Sequence, residues 1–383
     1  MPNLERFSNM SNDGTVTNRY DTAVPTPIIQ EFHELSKNPP GNDPYMKAFY
    51  QAATELSDTN LPFRNFIQGI LKKREDIDPK HFANLFCRST QYIELYVKDT
   101  PGYPHGFDDK NVWKDELEDI ITNDNPDLER LLLTKSTTTT VYQRYAGAAT
   151  IMTALFPDKP LHVTDFGCGG NYGLRGIDIE APFDPIEDNS EGYRVSNLLA
   201  HPPKLASSIA IDLENPDDPE TKKWRRACLY TQELTNAAKI DRFEDSIKQS
   251  NNVNFMQADL RELPIGNDQN QISEESQDVV IISTLCYQMP EQQKSILGQA
   301  RKILKPDGII IIQDFAQTDS SNPNGLDFDV NWFGQPYAYR NFVLSQKTDW
   351  TMKEILRWKN GRCASVIPGK DFDFITSTSP QAA

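Results

Sequence analysis

The sequence predicts an α/β fold: a doubly wound, mostly parallel sheet with a helical N-terminal region. Two observations carry this. Near-continuous aliphatic runs, such as Val279 to Ile282 and Ile309 to Ile312, alternate with helical segments in the second half of the chain. Strands buried on both faces read this way in parallel sheets. The stretch Leu161 to Gly173, LHVTDFGCGGNYG, runs from a buried strand into an acid and then into a glycine turn. That pattern puts a ligand at the carboxyl end of the strand. Glycine belongs there because backbone must approach the ligand closely and some positions need positive φ.

The chain has 383 residues, enough for one large domain or a catalytic domain with an extension. Its formal charge is −16, with a pI near 4.8. Such a surface repels phosphate backbones and anionic lipid, so neither nucleic acid nor membrane is expected as a partner. No apolar run approaches the roughly 20 residues of a membrane helix, and the polar start MPNLERFSNMSNDG has no signal-peptide character. The five cysteines are scattered and lack a Cys-x-x-Cys pair, which suits a reduced, cytoplasmic protein. His33, His81, His105, His162 and His201 have no metal-ligand spacing, so no metal is expected.

Taken in order, residues 1–24 read as a flexible polar tail and 25–134 as a helical cap region. Helices are expected over Pro27 to Ser36, Asp43 to Leu56, Pro62 to Lys73, Pro79 to Tyr96, Trp113 to Thr122 and Pro126 to Leu133. The aromatics Phe49, Tyr50, Phe63 and Phe66 are expected to pack between them. Residues 135–383 are expected to form the second, α/β domain, the one that would carry any catalysis. The hydroxyl run Ser136 to Thr140 reads as the N-cap of a helix from Val141 to Phe156, whose small residues allow close packing on a sheet.

Strand one is Leu161 to Phe166, and a helix starts near Tyr172. Residues 178–205 read as an insertion on the binding edge, with a strand-like piece at Tyr193 to Val195. Strand two is Ser208 to Leu213. A helical region, broken near Thr235, covers Pro219 to Ser250, where Trp224, Arg225 and Arg226 decorate a helix that covers the sheet. Strand three is Val253 to Ala258 and strand four Asp278 to Ser283. A helix from Glu291 to Leu304 leads through a tight Lys305-Pro306-Asp307-Gly308 turn into strand five, Ile309 to Gln313. The remainder reads as a loop with Trp332 and Phe333, a strand Tyr339 to Ser345, a helix Trp350 to Asn360 and a strand near Ala364 to Ile367.

Asp165, Asp212 and Asp259 close strands one, two and three. In an open α/β sheet such ends line one crevice. An acid after strand two can take both hydroxyls of a ribose, and one after strand three can accept from an adenine amine. Here the chain resembles the class I S-adenosylmethionine-dependent methyltransferases, with their Rossmann-like core. Their first motif, acid-x-Gly-x-Gly-x-Gly, stands as Asp165-Phe166-Gly167-Cys168-Gly169-Gly170-Asn171, with Asn171 in place of the last glycine. Asn tolerates left-handed backbone, so the turn survives. STLCYQMPEQQKSILGQARKILKPDGIIIIQDF resembles the family's stretch through the fourth helix and its Leu-Lys-Pro-Gly-Gly turn, and the likeness spans roughly 140–317.

The resemblance implies S-adenosylmethionine as cofactor. It implies that Gly167, Cys168 and Gly169 border the methionine moiety, with Asp165 serving both turn and ligand. Asp212 and Leu213 would hold the ribose side, Asp259 and Leu260 the adenine side, and Ser283 to Tyr287 would face the methyl group. Asp212 follows Gly169 by 43 positions, against the usual roughly 20 to that acid in dinucleotide folds. The insertion accounts for the excess; Asp178 and Glu180 are the alternative acids, although neither ends an obvious strand. IDLENPDDPETKKWRRAC also resembles a bacterial family of unknown function with a methyltransferase-like core.

Methyl transfer from a sulfonium releases a neutral group, so alignment and desolvation do most of the work and no triad is expected. Where the acceptor needs a base, Tyr287, Asp314 and His201 are the candidates, in that order. Cys168 reads as a filler, since it has no histidine partner, and Cys286 as substrate contact or packing in equal measure. The helical region and the insertion are expected to roof the site, and the acceptor is expected to be a small molecule. An NAD(P)-dependent oxidoreductase is the first alternative, on a variant Gly167-x-Gly169-x-x-x-Gly173 turn. Against it, no Tyr-x-x-x-Lys pair follows strand four. A non-catalytic binding protein of the same fold is the second.

Overall fold

The computed structural model describes residues 26–75, 77–123, 125–138, 141–187, 190–329 and 335–376. The tail expected at 1–24, Thr139 and Thr140 of the hydroxyl run, and the loop residues Trp332 and Phe333 lie outside the described residues. The chain divides into two compact units. One holds the residues up to Glu94 together with Thr100–Ser136, and the other Leu95–Asp99 with Thr137 onward.

The first unit is helical: α1 (Thr26–Lys37), α2 (Pro44–Thr59), α3 (Leu61–Lys73), α4 (Pro79–Tyr92), α5 (Lys110–Thr122) and α6 (Pro126–Thr134). Short polar residues start these helices by design of the sequence. Asp43, Asn60, Asp78, Asp109 and Asn125 each accept from first-turn N–H groups of the helix they precede. Phe49, Tyr50, Phe63, Phe86 and Trp113 are buried at its centre, with Phe49 5.5 Å from Phe86 and 5.1 Å from Trp113.

The second unit contains α7 (Ala146–Leu155), β1 (Leu161–Phe166), α8 (Tyr172–Asp178), α9 (Ser190–Leu199), β2 (Leu205–Asp212), α10 (Pro219–Ala227), α11 (Thr231–Leu234), α12 (Ala237–Ser246), β3 (Val253–Gln257) and β4 (Gln277–Ser283). It continues with α13 (Gln293–Ile303), β5 (Leu304–Phe315), β6 (Gln317–Thr318), β7 (Leu326–Asp327), β8 (Tyr339–Ser345), β9 (Lys353–Trp358), β10 (Val366–Pro368) and α14 (Asp373–Thr376). The main sheet has the order β10-β9-β8-β5-β4-β1-β2-β3. β1 to β5 are parallel, and β8, β9 and β10 extend the sheet antiparallel. Side chains alternate between two cores: Val163, Val279, Ile281, Ile309 and Ile311 on one face, Phe166, Val280, Ile282, Ile310 and Ile312 on the other. Among the described residues no helix is long and apolar enough to cross a membrane.

Several expectations are corrected. Tyr193 to Val195 belongs to helix α9, because Val195, Leu198 and Leu199 share one face at helical spacing and pack on the core. Trp350 to Asn360 does not form a helix. Lys353–Trp358 is strand β9, hydrogen-bonded on both sides, with buried Glu354 neutralised by Arg340 and Arg357. The Lys305-Pro306-Asp307-Gly308 turn lies inside β5 as a bulge: Gln277 pairs with Leu304, and Val279 next with Ile309.

A 3-10 turn over Tyr142–Tyr145 precedes α7. The residues that precede the two helical segments before β1 are Val141 and Tyr145, and neither side chain caps. The Gln313 side chain instead accepts from Ala148 N in the first turn of α7, at 3.1 Å.

Two glycine substitutions test this packing. In α7 a Cβ at Gly147 would stand 2.2 Å from Asn341 Oδ1, whereas one at Gly298 in α13 meets nothing within 4 Å. Gly147→Ala is expected to cost about 1–3 kcal/mol through overpacking. Gly298→Ala is expected to gain up to about 1 kcal/mol from helix propensity and lost unfolded-state freedom. Urea midpoints moving the same way in both variants would contradict this.

Candidate functional site

The site begins where β1 ends between β2 and β4, the point at which the strand order reverses. Gly167, Gly169 and Asn171 take φ of +73°, +54° and +54°. Asn171 therefore adopts the left-handed conformation that the missing glycine would have supplied. Gly167 N and Cys168 N both donate to Ile211 O of β2, at 2.9 and 3.0 Å. A Cβ at Gly167 would come within 3.3 Å of Leu285 in the loop after β4, so the bend is enclosed from both neighbouring strands. Helix α8 then packs against the preceding turn, with Gly173 facing the Tyr145 ring and Gly176 the Tyr142 ring.

Asp165 is fully buried. Tyr145 donates its hydroxyl to Oδ2 at 2.6 Å, and Oδ1 has no hydrogen-bond partner among the described residues. Burial pushes its carboxyl up to about 7, against the pull of Tyr145 and with a push from Asp212. Asn171 is equally buried, and neither its Oδ1 nor its Nδ2 has a partner among the described residues. Asp212 faces the same bend. Its Oδ2 accepts from Gly169 N and its Oδ1 from Leu213 N, both at 2.8 Å. Burial raises this carboxyl too, the backbone donors opposing it. Leu213 beside it is 61% exposed, unusual for a leucine.

The end of β3 lies alongside, since Ala258 N donates to Asp212 O at 3.1 Å. Asp259 is not an open acid, however. It caps the turn Leu260–Glu262 and is paired with the Arg261 guanidinium at 2.9–3.0 Å, which holds its carboxyl down at about 2. Leu260 points into the core. Cys168 and Cys286 are buried thiols pushed well up by burial, which fits fillers rather than nucleophiles.

On the other side of the bend, Ser283 ends β4 with its Oγ 3.4 Å from Tyr339 OH. Tyr287 is half-buried, and burial raises its phenol to about 12. Its backbone N donates to Asp314 Oδ2 at 3.1 Å, and Phe315 N donates to Asp314 Oδ1 at 2.8 Å. Asp314 is fully buried and its carboxyl is pushed up to about 7 by burial, with backbone donors and Arg144 opposing. Sequence reasoning missed Arg144. This buried cation donates to Thr284 Oγ1 at 2.8 Å and lies over the Tyr339 ring, 5.5 Å from its centroid. Its only sequence signal is a lone arginine between tyrosines ahead of a run of small residues.

Two expectations fall away from the site. His201 precedes β2 and receives Thr153 Oγ1 at its carbonyl, so it stands at the amino end of the sheet, opposite the bend. Asp178 binds Ser250 Oγ and the backbone N of Asn251 and Asn252, which lead into the amino end of β3. That removes it as an alternative to Asp212. Among the described residues no group of His, Cys, Asp or Glu could hold a metal ion.

Residues 233–352 match the model of a methyltransferase domain family; the match holds β3 to β8 and leaves the glycine bend outside. No curated protein matches the chain. Among solved structures, the chain is similar to a protein from the Haloferax volcanii complex of the Trm112 methyltransferase activator with a methyltransferase. The identity is 16% over 45% of this chain and 53% of that one, with a TM-score of 0.25. It is similar to an S-adenosylmethionine-dependent methyltransferase from Mesorhizobium loti, at 13% over 55% and 73%, TM-score 0.24. It is also similar to the 1,6-didemethyltoxoflavin-N1-methyltransferase of Burkholderia thailandensis, solved with its substrate and S-adenosylhomocysteine, at 16% over 56% and 61%, TM-score 0.23. The chain spans about half the length of the first of these. Residues 233–352 thus resemble a methyltransferase domain, and they lie in a sheet whose order reverses at β1 in the doubly wound manner.

Proposed function

We propose that the chain binds S-adenosylmethionine at the bend between β1 and α8 and passes its methyl group to a small-molecule acceptor. The observation that carries this reading is the set of buried polar atoms at the bend that lack partners among the described residues: Asp165 Oδ1 and both ends of the Asn171 amide. Buried groups of this kind are costly unless something bonds them. An amino acid moiety offers both complements, an ammonium for the carboxylate and a carboxylate for the amide donor. Gly167, Cys168 and Gly169 would form the wall beside it.

The rest of the site fits the remaining parts of that molecule. Asp212 would accept from ribose hydroxyls, and exposed Leu213 would lie against the adenine face. Asp259 would accept from the adenine amine once Arg261 yields, with Leu260 backing the pocket and Ser283 at its other edge. When bound, the cofactor supplies an activated methyl group and a neutral leaving group. The protein's part is alignment and exclusion of water. Tyr287, whose phenol stays protonated near neutral pH, would donate to the acceptor rather than act as its base. Asp314, occupied by backbone N–H groups, would hold the loop that presents Tyr287. The acidic surface favours a small acceptor over nucleic acid. All five cysteines are buried and none is in a disulfide, which suits a cytoplasmic enzyme.

Calorimetry with S-adenosylhomocysteine and with NAD decides the cofactor: binding of the first and none of the second is expected, and the reverse would overturn the reading. Asp212→Asn is expected to weaken S-adenosylhomocysteine by about 10- to 100-fold, the range of a hydrogen bond to a charged group. Unchanged affinity would remove Asp212 from the site.

The Asp165 carboxyl makes binding depend on pH. With nothing bound it ionises at about 7, and a ligand ammonium favours the ionised form. Below that pH the site must release a proton before binding. Affinity is therefore expected to rise as pH climbs from about 6 to about 8 and then level off. Asp165→Asn should flatten that rise, and a wild-type affinity independent of pH would contradict the assignment.

A further inference from the structure

Thr284 is the only β-branched residue among the described residues with positive φ, at +51°. A branched side chain disfavours that backbone strongly, so something must hold it there. Two bonds do. Thr284 N donates to Gln313 O of β5 at 2.8 Å, and Arg144 Nη1 donates to Thr284 Oγ1 at 2.8 Å. The guanidinium is itself fixed: it is buried, lies over Tyr339, and has its Nε 3.4 Å from Gly361 O.

The left-handed residue ends β4 sharply and redirects the chain. Because of it Leu285 comes down beside Gly167 of the bend, and Tyr287 N reaches Asp314. Glycine would make this turn without strain. A threonine is favoured there when its hydroxyl is used, and that hydroxyl accepts from Arg144. From this geometry we infer that Arg144 is a positioning residue: its bond to Thr284 latches the 284–287 loop against the glycine bend and sets the shape of both the cofactor and acceptor sides. The inference rests on the methyltransferase reading for the ligand it names, but not for the latch itself.

The test uses the full chain and two readouts, calorimetric affinity for S-adenosylhomocysteine and hydrogen exchange at the Thr284 and Tyr287 amides. Thr284→Val keeps the shape and removes the hydroxyl. It is expected to weaken affinity about tenfold, the scale of one strained residue released, and to speed exchange at both amides. Thr284→Ser keeps the hydroxyl and should stay within about threefold of wild type, as a conserved hydrogen bond allows. Arg144→Lys, which keeps the charge but loses the fork, should resemble Thr284→Val, and the two together should be no worse than either alone. Pairing Arg144→Lys with Thr284→Gly should restore affinity and slow exchange, because glycine needs no latch.

A purely structural Arg144 gives no such rescue. Failure of the rescue, or effects of Arg144→Lys and Thr284→Val that multiply, would overturn the latch. If wild type takes no S-adenosylhomocysteine, the methyltransferase reading fails, and the exchange pattern alone upholds or overturns the latch.

Discussion

Two backbone donors converging on one carbonyl hold this site together. Gly167 N and Cys168 N both bond Ile211 O, the last carbonyl before Asp212 on the neighbouring strand. The bend after β1 is therefore shaped by the sheet and not by the loop's own preferences. With its turn fixed in this way, Gly169 N falls on the Asp212 carboxylate, Asn171 is forced into the left-handed region, and α8 must start at Tyr172. The helix in turn brings Gly173 against the Tyr145 ring, and the Tyr145 hydroxyl reaches back to Asp165. A closed chain of contacts thus runs from β1 through β2 and α8 and returns to the end of β1. A Cβ at Gly173 would stand 2.2 Å from the Tyr145 ring and interrupt it, and one at Gly167 would strain a backbone at φ +73°.

Legibility followed the range of the interaction. Strands β1 and β8 have the bounds their aliphatic and aromatic runs suggest, and the N-terminal helices start where short polar residues can cap them. These are local signals. The errors arose where a distant partner decides. The apolar spacing over Trp350 to Asn360 suits a helix, but the edge left by β8 recruits it as a strand and pairs its glutamate with arginines. In the first turn of α7 the Ala148 N–H is taken by the Gln313 side chain from the middle of the sheet, 165 positions away. No window of sequence contains that acceptor.

The acids show the same division. That Asp165, Asp212 and Asp259 follow strands could be read directly, because an acid after an aliphatic run is a local pattern. What each carboxylate bonds could not. Asp212 serves the bend, Asp259 is neutralised by an arginine two positions on, and Asp314 spends itself on amides from its own strand end and from the loop after β4. Of these only the Asp259–Arg261 pair was available to inspection, since both partners lie within one turn. Arg144 was hidden for the opposite reason: its partners Thr284 and Gly361 are 140 and 217 positions away.

Two buried asparagines of this unit differ in what satisfies their amides. Asn341 and Asn171 are both fully buried, so each carries the same desolvation cost for its amide. Asn341 offsets it inside the protein: its Nδ2 donates to Gln313 and its Oδ1 accepts from Trp358, fixing β8 against β5 and β9. Asn171 has no such partners among the described residues, and it sits at the bend in a backbone conformation that costs further energy. A residue that only shaped the turn could be glycine and would carry neither cost. The amide at 171 makes physical sense when a polar molecule completes it. Asn341 is by the same argument a structural residue, although Gln313 Nε2 beside it also lacks a partner among the described residues; what distinguishes the bend is that two such residues, Asp165 and Asn171, meet at the carboxyl end of a strand.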